Sequence, residues 1–318
     1  MRKAVALVLA LSMLLPVALY VWIGGGWSYD IGLWYESGRI AHEQGILNVY
    51  RIESATPGVF AGGYFAFPLP WLIICELTYK LVDAFSLEQI AFAYLIRLLP
   101  FLAFEATTIL LFIYTREMKG EVEAATVAFI YAVGLAIVNW ITLVTLGQMD
   151  TIPVFFTVLG LLLASRDKIE YAMLSLGIGA AFKLYPLVIA LALLIYAFRG
   201  RRRGLMRCAV WAIAPLLLVS IPPLIHDAQA YIGAFTFYSG WVGSVTLYFW
   251  VYSLLGLNAY LWYGSAMPAG APLQYIPIIT AISLLFTCIA LLLAYIKTGS
   301  RKMQLDISMG LPVIAVLA

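Results

Sequence analysis

Charge is scarce in this sequence, and histidine more so: Lys, Arg, Asp and Glu make up 11% of the 318 residues, and His occurs twice. Two histidines exclude a multi-histidine metal site. The three cysteines, Cys75, Cys208 and Cys288, each lie in an apolar stretch far from the others. They form neither a disulfide framework nor a thiolate metal set, and read as small core residues. No Ser-His-Asp arrangement, phosphate-cradling Gly-rich loop or zinc-ligand spacing stands out, which leaves a membrane protease or a nucleotide-driven pump with little support. No Ser-, Gly- or charge-rich linker divides the chain, so residues 1–318 read as one domain. The lack of an evident long internal period argues against an inverted-repeat transporter.

What is present in excess is apolar surface: 64% of residues are hydrophobic and the mean hydropathy is +0.97. Several apolar runs approach or exceed the roughly 20 residues that cross a hydrocarbon core. In lipid such runs must be helices, because unpaired backbone groups there are costly. The expected fold class is therefore all-α: a polytopic helical membrane protein with about nine to eleven spans. The N-terminal run Val5 to Gly24 resembles a signal peptide in its Arg2-Lys3 start, but it is long and lacks a small-residue cleavage motif. Its closing Trp22 and Trp27 suit an interfacial belt, so it reads as a retained first span. The last run, Ile307 to Ala318, is too short to cross, as expected of a cut-short chain or a partial helix.

The positive charges are unevenly spread. Fourteen of the nineteen Lys and Arg fall in five short connections: Arg2/Lys3, Arg116/Lys119, Arg166/Lys168, Arg199 to Arg207, and Lys297/Arg301/Lys302. By the positive-inside rule these mark the cytoplasmic side. The Arg-rich run from Phe198 to Arg207 reads as a topology anchor on anionic lipid, with no nucleic-acid partner expected. The complementary connections, Gly25 to Ala66, Gly147 to Asp150, Phe182 to Tyr185 and His226 to Val245, then face outward. An even number of crossings is needed between the first two of these. Three apolar runs lie there, and the shortest, Phe67 to Val82, contains Pro68, Pro70, Glu76 and Lys80. It is expected to dip into the outer leaflet or to lie at the interface.

The outer segment 25–66 carries an expected amphipathic helix on the membrane plane from Asp30 to Gln44, ended by Gly45. Asp30 at its head has two readings: a carboxylate capping the helix, or a general base taking a proton from an acceptor hydroxyl. In Leu146 to Pro153, Pro153 suits a helix start and Asp150 or Thr151 a cap, whereas Gln148 beside a carboxylate suits sugar hydroxyls. Lys183 interrupts an apolar stretch; it either snorkels to headgroups or binds a lipid phosphate. His226-Asp227 follows Pro222-Pro223 at a span end, where a surface role is the plainer reading.

Taken in order, three stretches resemble the GT-C membrane glycosyltransferases, in particular the polyprenyl-phosphate-mannose-dependent mannosyltransferases of bacteria and archaea. They are Tyr29 to Tyr50, Gly-Gln-Met-Asp at 147–150, and Phe-Lys-Leu-Tyr-Pro at 182–186. The mannosyltransferase of GPI-anchor synthesis is a more distant likeness. The resemblance covers roughly residues 1–200. It implies transfer of one sugar, mannose by family membership, from a polyprenyl-phosphate donor to a glycan, glycolipid or protein acceptor at the extracytoplasmic face of the cell membrane. Asp30 matches the catalytic base of an inverting displacement. Lys183, with Arg39 and Arg51 behind it, would meet the charge on the departing phosphate. Gln148 and Asp150 would position sugar hydroxyls, and Tyr35, Tyr50 and His226 complete the candidate substrate-binding set. Many relatives carry Asp-x-Asp in the first loop, but here position 28 is Ser and position 32 is Gly. Glu36 is more than a helical turn away, so no cofactor is expected and a divalent metal is disfavoured. Two other classes compete: a flippase or transporter of lipid-linked sugars or small solutes, and a non-catalytic subunit of an envelope-assembly complex.

Overall fold

An apolar chain satisfies its backbone most simply by helix formation, and the described residues do so almost throughout. The computed structural model describes residues 2–23, 29–51, 67–134, 149–197 and 204–238. Of these, 91% are helical and none is in a strand, which establishes the all-α class. The first four helices are α1 (Arg2–Ile23), α2 (Tyr29–Gln44), α3 (Leu69–Ala84) and α4 (Gln89–Lys119). A 3-10 turn, Ile46–Arg51, follows α2. Helix α5 (Glu121–Phe129) continues into a wider π turn, Ile130–Gly134. The remaining helices are α6 (Thr151–Ser165), α7 (Ile169–Phe182), α8 (Tyr185–Ala197) and α9 (Leu205–Tyr238).

Local chemistry sets most boundaries. Helix α2 stops at Gly45, whose φ of 97° is open to glycine at little cost. Pro70 lies in the first turn of α3, where no N–H is needed. Both α3 and α6 close with a 6→1 and a 5→2 hydrogen bond: Leu87 N–H to the Val82 carbonyl and Ser86 N–H to the Asp83 carbonyl in α3, Lys168 N–H to the Leu163 carbonyl and Asp167 N–H to the Ala164 carbonyl in α6. Helix α7 ends before Pro186, and Lys183 turns into an extended conformation. Asp227 breaks α9 with φ −162° and ψ 92°, and its side chain then caps the new segment by accepting from the Ala230 N–H at 3.0 Å.

Small residues let the helices approach at backbone distance. A Cβ at Gly177 of α7 would stand 2.6 Å from the Ala212 carbonyl oxygen of α9, and one at Gly38 of α2 would stand 2.5 Å from the Cys75 carbonyl oxygen of α3. Helix α7 packs against α6, α8 and α9, and α4 packs against α5 and α6. The Tyr20 hydroxyl of α1 donates to the Tyr94 carbonyl of α4, and Tyr94 returns a bond to the Val21 carbonyl at 3.1 Å.

Among the described residues two helices are long and apolar enough to cross a membrane, Gln89–Lys119 and Leu205–Ala234. At 1.5 Å per residue the first is about 46 Å long, more than the hydrocarbon core requires. Val5–Val21, Thr151–Ser165, Ile169–Phe182 and Tyr185–Leu194 are shorter apolar helices. Large apolar side chains remain uncovered on α9, Ile225 at 82% and Leu218 at 74% exposure. Helix α3, with 16 residues, reaches only about 24 Å and carries a Lys80–Glu76 ion pair, so it falls short of a span.

Two expectations change. The apolar face of α2 does not lie open to lipid: Ile31, Trp34 and Ile40 are buried, chiefly by α3, whose Trp71 meets Trp34 edge to face at 4.9 Å. The connection expected from His226 to Val245 is helical as far as Tyr238. Lys183 follows the end of α7 with 55% of its side chain exposed.

Candidate active site

One apolar cluster gathers the candidate residues. Ile31, Met149 and Phe182 all pack in the cluster around Trp34, Trp71 and Tyr50. Each is the chain neighbour of a polar candidate: Ile31 of Asp30, Met149 of Asp150, Phe182 of Lys183. Burial of the three apolar anchors therefore draws the three charged groups to one rim, although they come from α2, from the start of α6 and from the end of α7.

At that rim Lys183 Nζ donates to Asp150 Oδ1 at 2.5 Å. Asp150 occupies the N-cap position of α6, yet its side chain makes no capping hydrogen bond; it points to Lys183 instead. The capping reading of Asp150 is thereby set aside, and so is that of Thr151, whose hydroxyl donates to the Pro100 carbonyl at 2.7 Å. Asp30 lies close enough to Asp150 to feel its charge. Burial first, and the Asp150 carboxylate second, push the Asp30 carboxyl up to about 6 from 3.8. Asp30 also stands in the first turn of α2, where the helix dipole favours a carboxylate. Tyr185 adds a buried hydroxyl within reach of the Asp150 charge.

The other candidates are placed elsewhere or in the supporting shell. Arg39 donates to Glu36 and Glu43 on its own helix and is neutralised there. Tyr35 is packed edge to face with Tyr79 and Phe92. Tyr50 donates to the Phe67 carbonyl at 3.0 Å and meets Tyr231 of α9 edge to face; burial raises its phenol. His226 Nε2 pairs with Asn48 Oδ1 at 3.0 Å, and Arg51 binds Asp227 at 2.9 Å and the His226 carbonyl at 3.2 Å. This second group fastens the 3-10 turn to the break in α9. Gln148 lies outside the described residues.

No match to this chain exists among family models, curated proteins or solved structures. The residues must speak for themselves.

Two buried ionisable groups escaped the reading of the sequence. Arg97 and Glu105 lie on α4, with Arg97 fully buried and Glu105 7% exposed. Arg97 donates to the Ala93 carbonyl at 3.3 Å, whereas neither Glu105 oxygen has a hydrogen-bond partner among the described residues. The signal was available: any ionisable residue in so apolar a run is a functional candidate. Among the described residues no three His, Cys, Asp or Glu side chains come together around a common point.

Proposed function

We propose that this protein is an integral-membrane glycosyltransferase of GT-C type, with about nine to eleven spans expected from its length and hydropathy. It transfers a single sugar, mannose on the resemblance of its motifs, from a polyprenyl-phosphate donor to a glycan, glycolipid or protein acceptor. The reaction takes place at the extracytoplasmic face. The observation that carries this reading is the convergence of Asp30, Asp150 and Lys183 at one rim from three separate elements. In the inverting displacement, Asp30 takes the proton of the acceptor hydroxyl as its oxygen attacks the anomeric carbon. The bond from that carbon to the phosphate oxygen breaks, and polyprenyl phosphate leaves. A carboxyl lifted to about 6 is ionised at neutral pH yet basic enough to accept a proton in the transition state. Lys183 offers a fixed cation to the charge gathering on the leaving phosphate. The reaction is read as metal-independent because position 28 is Ser and position 32 is Gly, so the first loop offers no Asp-x-Asp pair.

The test is sugar transfer by the purified protein in detergent from a radiolabelled polyprenyl-phosphate sugar, with and without EDTA. Transfer lost in Asp30→Asn and insensitive to EDTA supports the reading. Equal transfer by wild type and variant removes Asp30 from the mechanism, and activity lost to EDTA and restored by manganese overturns metal independence.

The rival reading, transport of a lipid-linked sugar or small solute, gains from one observation, the carboxyl of Glu105 inside α4, which has no hydrogen-bond partner among the described residues. Vesicles that move lipid-linked sugar without transferring it, and that stop doing so in Glu105→Gln, would favour the transporter.

A further inference from the structure

The Lys183–Asp150 pair is built unlike a structural ion pair. Asp150 forgoes the capping bond that its position offers, although capping is what a carboxylate there ordinarily does. Its side chain remains 36% exposed and that of Lys183 55% exposed, so the contact is open to exchange with solutes and weak by nature. On its other side Asp150 faces a like charge, Asp30. A carboxylate held by one exposed lysine and repelled by a neighbouring carboxylate is easily displaced by a better anion. A lipid phosphate carries at least one full negative charge and strong acceptor oxygens, and can take the place of that carboxylate on the ammonium.

We propose that Asp150 is a placeholder: it holds Lys183 in the position where the phosphate of a prenyl-linked ligand binds, and the arriving phosphate displaces it. The identity of that ligand as the sugar donor rests on the transferase reading. No covalent bond changes in this exchange; a phosphate oxygen replaces Asp150 Oδ1 on Lys183 Nζ. Once released, Asp150 carries an uncompensated charge beside Asp30. Binding of the phosphate group thereby leaves the freed Asp150 charge to act on Asp30.

The probe is farnesyl phosphate, with inorganic phosphate and farnesol as companions, titrated calorimetrically into the full chain in detergent. Asp150→Asn removes the competitor and is expected to bind farnesyl phosphate several-fold tighter than wild type. Lys183→Gln is expected to bind it at least tenfold weaker, and in the double variant Asp150→Asn brings no gain. Both residues are partly exposed, so all these proteins are expected to fold. Inorganic phosphate showing the same ordering assigns the effect to the phosphate group. An ordering confined to farnesyl phosphate ties it to the prenyl-linked form. Farnesol should bind all variants alike. In sugar transfer, Asp150→Asn lowers KM for the donor and lowers kcat together, a split that loss of a merely structural contact does not produce. Farnesyl phosphate binding that is unchanged or weaker in Asp150→Asn overturns the inference, even where transfer depends on Asp30. Tightening in Asp150→Asn, with no transfer by wild type, leaves the displaceable contact standing and refutes the transferase.

Discussion

Asp150 and Asp227 make an instructive pair. Each is a carboxylate at the head of a helical segment, and each faces a basic side chain distant in sequence, Lys183 and Arg51 respectively. Asp227 does both structural tasks at once: one oxygen accepts from the Ala230 N–H, and the other binds Arg51. Asp150 does only the second, and leaves the N–H groups of its helix to other partners. A residue kept for stability uses all its hydrogen-bonding capacity. One that leaves a good bond unmade is free for another task, and its neighbour here is a carboxylate already pushed up to about 6.

The largest effect expected at this rim comes from the charge that Asp150 acts upon. Asp30→Asn should reduce sugar transfer by about a thousandfold, within the usual range for loss of a general base. The same change should make the protein more stable. A carboxyl whose folded-state pKa exceeds its unfolded value binds an extra proton in the fold between about 4 and 6. Stability therefore falls as pH rises through that window and stays low above it. Near neutral pH the amide variant recovers about 1–2 kcal/mol of this cost, seen as a higher unfolding temperature by circular dichroism in detergent. A loss of stability in Asp30→Ala that Asp30→Asn does not share would point back to a helix cap, which asparagine still forms.

Asp227→Ala should show the opposite balance. Losing the cap and the partly exposed partner of Arg51 is expected to lower the unfolding temperature, with transfer per folded molecule unchanged. Asp150→Asn completes the contrast: its unfolding temperature should stay within about 0.5 kcal/mol equivalents of wild type. If Asp150→Asn instead destabilises as much as Asp227→Ala, the distinction between the two carboxylates collapses.

The smallest effect sharpens the comparison through pH. Transfer should rise with pH along an acid limb centred near 6, as Asp30 loses its proton. In Asp150→Asn the limb should move down but remain above 3.8, because burial is the larger cause and persists. A limb that stays in place would mean that the two carboxylates do not interact.

How much of this was legible in the sequence depended on whether the deciding chemistry was local. Gly45 ending α2, Pro70 in the first turn of α3 and the break before Pro186 all follow from residues within a turn or two of the boundary. The partner of Asp150 was not legible, because Lys183 is 33 residues further on and only burial of Met149 and Phe182 in one cluster brings them together. Local reasoning offered a cap, the wrong competitor. Glu105 was passed over for a related reason: a lone charge in an apolar run gives no sign of whether it faces inward. The apolar stripe of α2 was visible, but not that protein, mainly α3, would cover it.

Gly38 carries one more consequence. With a Cβ at that position destined for 2.5 Å from the Cys75 carbonyl oxygen and 3.0 Å from Tyr79 Cβ, α2 and α3 are seated backbone to backbone. Neither can slide or roll on the other without opening that seat, so the two helices travel as a single lever. Whatever shift carries Asp30 toward a substrate must carry Trp71 and Cys75 with it. Any change in the tilt of α3 is then passed to Asp30 through that seat.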